Sequence, residues 1–121
     1  MSKTYQEKAY ETAAYGSIIE YPFTSLAEEA GEVMGKINKF IRKHEVSVHG
    51  AVFRITKSSE LDAVGTKLRE DVIKELGDLQ WQIAACCTEL GITLDQLQES
   101  NLEKLRGRVK RGTIEGEGDN R

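Results

Sequence analysis

Residues 65–90, GTKLREDVIKELGDLQWQIAACCTEL, decide the fold. Leu68, Val72, Leu76, Leu79, Ile83, Cys86 and Leu90 recur at spacings of three and four, which lays them along one stripe of an α-helix. Gly91 follows the last of them, where a helix commonly ends on a residue free to take positive φ. Glu75 and Asp78 border the stripe at i, i+3, so their carboxylates share a face. An apolar stripe of this length must be buried against another element.

The matching partner lies upstream. Leu26, Val33, Ile37, Phe40 and Ile41 form a second stripe, bordered by Glu28-Glu29-Ala30-Gly31-Glu32. Ser25 and Glu28 have the spacing of a capping box, so the helix is expected to start there, after Tyr21-Pro22-Phe23-Thr24, and to run to about Lys43. That start puts Glu28 and Glu29 in the first turn, where the helix dipole favours negative charge. Packed through their stripes, the two helices would bring Glu29, Glu32, Glu75 and Asp78 together at one edge. Two carboxylates about 5 Å apart repel by roughly 3 kcal/mol at an effective dielectric near 20. A divalent cation would remove that cost, and an all-oxygen ligand set favours Mg²⁺, Mn²⁺ or Ca²⁺ over zinc. One such i, i+3 pair is ordinary on a solvated helix face. Two pairs, each beside small residues (Ala30, Gly31 and Gly77) that cost helix stability, point to a site that needs the room.

Outside this pair the organisation is simpler. Lys3 to Tyr15 carries helical spacing and is closed by Gly16. Residues 44–65 lose the helical period, and His49 to Thr56 alternates like a short strand or hairpin arm, while Ser58 to Asp62 suits a helical turn. Thr93 and Gln96 form another capping-box spacing and open a last helix to about Lys110. The tail from Gly112 to Arg121 is too glycine-rich and polar for a helix. The expected fold is all-α, a bundle of four to five helices with an irregular or short hairpin segment at about 44–65. It is expected as one domain over 1–121 with a flexible tail at about 112–121.

Composition narrows the class. With 39% hydrophobic and 31% charged residues and a single proline, the chain reads as soluble and helix-rich. It has no apolar run of the roughly 20 residues that span a bilayer. The N-terminus lacks a signal-peptide core, so a cytoplasmic location is expected. A net charge of −3 argues against a nucleic-acid polymer as partner. The adjacent Cys86 and Cys87 read as small core residues, and His44 and His49 do not form a ligand pattern with the acids. Trp81 lies off the main stripe and is expected, with Tyr10 and Tyr15, at a boundary between subunits.

Positive charge is also placed near the acids. Lys36 and Lys39 follow Glu32 at +4 and +7 on the same face, and the last helix carries Asn101, Lys104, Arg106, Arg108, Lys110 and Arg111. Such lysines are routine helix stabilisers. Beside a carboxylate cluster they also suit metal-assisted chemistry on phosphates, holding the charge the metal leaves uncovered.

Glu28-Glu29-x-x-Glu32 followed on a later helix by Glu75-x-x-Asp78 resembles the MazG-like, all-α nucleoside triphosphate pyrophosphohydrolases, which carry EExxE and ExxD on paired helices. The likeness extends through Asn101-Leu102-Glu103-Lys104-Leu105 and Arg111-Gly112 to Gly118-Asp119-Asn120-Arg121. It implies Mg²⁺-dependent hydrolysis of an NTP or dNTP to the monophosphate and pyrophosphate, with Mn²⁺ as a possible substitute, in a homodimer or homotetramer serving nucleotide-pool housecleaning. It further implies Glu29, Glu32, Glu75 and Asp78 as metal ligands. Glu28 or Glu29 would orient the attacking water, and Lys36, Lys39, Asn101, Lys104 and Arg111 would face the substrate. Gln82 stands where members often have an aromatic residue after the tryptophan, and the 44–65 stretch exceeds a minimal linker. The competing expectation is a non-catalytic oligomeric helical module that binds nucleotide or a partner.

Overall fold

A computed structural model describes residues 2–57, 62–112 and 115–119. Five helices stand in it: α1 (Tyr5–Tyr10), α2 (Tyr21–His44), α3 (Val48–Thr56), α4 (Ala63–Leu90) and α5 (Leu94–Arg111). No strand occurs among the described residues. None of their helices is long and apolar enough to cross a membrane.

The scaffold is the pairing of α2 with α4, the most extensive contact between elements. Ile37 and Phe40 of α2 meet Leu68 and Val72 of α4, and Ala51 and Ile55 of α3 close over them. Val33, Ile41 and Val46 pack around this cluster. The two stripes therefore do face one another, but only over part of their length. Leu76 and Leu90 are 48% and 62% exposed. The second half of α4 instead buries Gln82, Ala84, Ala85, Cys86 and Cys87, because α1 packs against it. Burial pushes both thiols above their ordinary pKa, as expected of core cysteines.

Residues 48–56 correct the strand expectation. Ser47 caps α3 by accepting from the Gly50 N–H at 2.9 Å. The apparent alternation of His49–Thr56 hides a helical pair, Ala51 and Ile55, spaced i, i+4 and both buried. The expected turn at Ser58–Asp62 lies outside the described residues except for Asp62. That residue caps α4 by accepting from the Gly65 N–H at 2.7 Å and also pairs with Arg54.

The start of α2 is corrected as well. Pro22 occupies its first turn, where a missing N–H costs nothing and the fixed φ is already helical. Ser25 is therefore buried inside the helix and makes no cap. Glu28 and Glu29 sit about two turns in, beyond the reach of the N-terminal dipole.

α1 is shorter than expected. Its capping box is formed by Thr4 and Glu7. Its last turn is broken where the Ala9 carbonyl accepts from the Thr12 N–H, the Thr12 hydroxyl and the Trp81 indole N–H. Trp81 thus anchors α1 to α4 within one chain, with Thr12 Oγ1 a second acceptor at 2.8 Å and the Tyr15 ring edge-on at 6.5 Å. At the far end of α4 the Gln6 amide donates to Thr88 Oγ1 and the Ile92 carbonyl and accepts from the Leu94 N–H. The α4–α5 corner follows its sequence signals: Gly91 takes φ 72°, and Thr93 with Gln96 forms the expected capping box.

Candidate functional site

The packing of α2 on α4 sets the site. Glu29 and Ile37 are eight residues apart on α2, and Glu75 and Val72 three apart on α4, so the register fixed by the apolar contacts also fixes where the acids meet. Glu29, Glu75 and Asp78 converge, each offering a carboxylate oxygen within 4.8 Å of the others. Glu29 and Glu75 are half-buried and Asp78 is exposed. Lys36, two turns along α2 from Glu29, brings its Nζ to 3.9 Å from Glu75 Oε1.

Crowding of like charge shows in Glu29, whose carboxyl is held above its ordinary pKa. Burial is the main cause, followed by the charges of Asp78, Glu75, Glu28 and Glu32 in that order. Three oxygen donors converging, with the charged form of one of them disfavoured, fit a hard divalent cation, and no thiol or imidazole belongs to the group. Glu28 and Glu32 are exposed on α2 and act on Glu29 through charge, outside the three that converge. Gly31 and Gly77 have open space where a side chain would project, and no described residue fills the room they leave.

The basic residues divide into two sets. Lys36 and Lys39 border a groove of about 510 Å³ between the C-terminal half of α2 and the first turns of α4. The spacing of these lysines was legible in the sequence, but the contributions of Lys43, Lys67 and Asp71 to the groove were not, since they depend on the register of α2 on α4. Asn101, Lys104 and Arg111 stand on α5, which packs lightly on α4, and the three acids converge without it. Lys104 is engaged by Asp119 at 3.3 Å. The same carboxylate takes Arg108 Nη2 at 3.1 Å, and Lys104 and Arg108 together hold Asp119 below its ordinary pKa. Arg108 is the one buried residue of α5, which its place in a run of exposed basic residues concealed.

Residues 20–113 match the MazG nucleotide pyrophosphohydrolase domain. The chain belongs to the MazG nucleotide pyrophosphohydrolase family. It is also 30% identical over 125 residues to the gene 37 protein of Mycobacterium phage L5, a match covering 97% of this chain and 96% of that protein. No solved structure matches it. The MazG span takes in α2 to α5 with the converging acids and leaves α1 outside. α1, whose Ala9 carbonyl accepts from the Trp81 indole N–H, therefore lies outside the matched MazG region.

Proposed function

We propose that this MazG chain is a divalent-cation-dependent pyrophosphohydrolase that converts an NTP or dNTP and water to the monophosphate and pyrophosphate, with Mg²⁺ as its natural metal and Mn²⁺ able to replace it. The observation that carries the reading is the convergence of Glu29, Glu75 and Asp78 within 4.8 Å beside Lys36. These three would hold the cation, and Glu32, the next acid along the same helix, would complete the set. Bound there, the metal would polarise the α-phosphorus and lower the pKa of a water.

The chain's own residues supply the rest. A carboxyl already pushed toward protonation at Glu29 is suited to accept a proton from a water it orients, and Glu28 is the neighbouring alternative. Lys36 neutralises Glu75 in the free protein, and its ammonium is placed to follow phosphate charge when a metal takes the carboxylates. Lys39 would extend that cationic edge, with Asn101, Lys104 and Arg111 of α5 reaching the substrate in the assembled enzyme. Exposed Ile73 and Leu76 on α4 and Leu102 and Val109 on α5 support a homodimer or homotetramer. The reading takes residues 1–121 as one domain acting in nucleotide-pool housecleaning in the cytoplasm.

The test is pyrophosphate release from a panel of NTPs and dNTPs with Mg²⁺. Asp78→Asn is expected to lower turnover at least a hundredfold while leaving the helical circular dichroism unchanged. Undiminished turnover would refute the ligand assignment. Absence of release from every nucleotide, with no metal-dependent thermal shift, would refute the enzyme and leave a non-catalytic module.

A further inference from the structure

The groove that begins at Lys36 has an uneven chemistry. Its floor is apolar, made by Phe40, Val64 and Leu68, and its rim carries Lys36, Lys39, Lys43 and Lys67. An apolar floor under a cationic rim suits a flat apolar body joined to an anion, and Lys36 links the groove to the acidic cluster through Glu75. From Lys36 to Lys43 is about 10 Å along α2, enough for a nucleoside beyond its phosphates.

The rim is also one-sided in hydrogen bonding. An ammonium donates and never accepts. Lys39 and Lys43 have no hydrogen-bond or ion-pair partner among the described residues, so their donors are available. The one carboxylate on the rim, Asp71, already accepts from Lys67 with both oxygens at 3.1 Å. His44, the remaining polar lining group, lies against the Phe40 ring with centroids 4.4 Å apart. Trp81, the other place for a base, has its indole committed to α1.

We propose that this groove is the nucleoside subsite, and that its donor-rich rim selects bases with outward carbonyl oxygens (uracil, thymine, guanine and hypoxanthine) over adenine and cytosine. Guanine and thymine present acceptors where adenine and cytosine present an amino donor, and an ammonium facing an amino group leaves both unpaired. The inference rests on the pyrophosphohydrolase reading and names the substrate class of that site.

Calorimetric binding of non-hydrolysable α,β-methylene analogues of dUTP, dGTP, dATP and dCTP, with Mg²⁺, tests it. The dUTP and dGTP analogues are expected to bind about tenfold more tightly than the other two, the value of one charge-assisted hydrogen bond. Lys43→Met should erase that difference. Val64→Trp should weaken all four by filling the groove at a residue 42% exposed, and so tolerant of bulk, while Mn²⁺ binding to the acids persists. Equal affinity for the four analogues overturns the selectivity alone, and unchanged affinity in Val64→Trp overturns the location. Failure of every analogue to bind overturns both this inference and the enzyme reading beneath it.

Discussion

Replacing Glu29 by glutamine removes the charge most crowded by the acidic cluster, and the effect on the metal-free protein should be stabilising. Charges 4.8 Å apart repel by about 0.9 kcal/mol in bulk water and about 3.5 kcal/mol at an effective dielectric of 20. Glu29 takes part in two such repulsions, with Glu75 and Asp78. The site is open to solvent on the Asp78 side and Lys36 offsets part of the Glu75 charge, so the low end applies. Glu29→Gln should therefore gain about 1–2 kcal/mol in EDTA at low ionic strength, near 5 °C in melting temperature for a chain of this size.

Three further readouts separate this cause from incidental packing. The gain should shrink in 1 M salt, where screening acts over about 3 Å. It should also vanish in acid. The folded pKa of Glu29 lies above its ordinary value, so the folded state holds this proton more tightly than the unfolded one. The wild type consequently loses stability as pH rises from the ordinary carboxylate value through the folded one, and the glutamine variant lacks that loss. Finally, saturating Mg²⁺ should reverse the order, since a ligand at a hundred times its dissociation constant adds about 2.7 kcal/mol to a protein that binds it. A Glu29→Gln protein that melts at or below the wild type in EDTA and low salt would refute the repulsion, and an undiminished Mg²⁺ shift would remove Glu29 from the ligand set.

Other expectations concern the attachment of α1. Trp81→Phe keeps one aromatic ring but loses the second ring and the N–H shared by Ala9 and Thr12, and should destabilise by about 1–3 kcal/mol with faster amide exchange confined to residues 5–15. Uniform exchange across all five helices would show that α1 is not a separable unit. Tyr15 is pushed up to about 12, by burial first and then by Glu89, whose carboxylate its hydroxyl meets at 3.2 Å. Because the folded value is raised, that contribution is complete below pH 10 and is lost as pH climbs toward 12. Tyr15→Phe should remove that part of the alkaline transition, and an identical alkaline midpoint in the variant would contradict the assignment.

The legible part of the fold was the part written in periodic burial. Gly91 as the stop of α4 and the Thr93–Gln96 box each depend on neighbours within a few residues and stand where the sequence put them, and the α2 and α4 stripes hold over the Ile37–Phe40 and Leu68–Val72 contact but not at Leu76 and Leu90. The misread parts had competing local meanings. Ser25-x-x-Glu28 satisfies a capping pattern, yet Pro22 three residues earlier already starts a helix, and the serine ends up buried. Residues 49–56 satisfy an alternation, yet one i, i+4 pair supplies all the burial that α3 needs. Trp81 was legible as a residue off the main stripe, but its contact with α1 was not, because Ala9 lies 72 positions away.

The sequence by itself determined that the chain folds as helices carrying two acidic pairs beside apolar stripes, since helix phase alone puts Glu29 with Glu32 and Glu75 with Asp78. Only the tertiary structure decided which carboxylates converge. The register of Ile37 and Phe40 against Leu68 and Val72 is set by packing between residues about thirty positions apart, and it brings Glu29, Glu75 and Asp78 within 4.8 Å while leaving Glu32 beside them. The same register opens a lysine-rimmed groove one turn away, from residues that share no motif and meet only because the helices do.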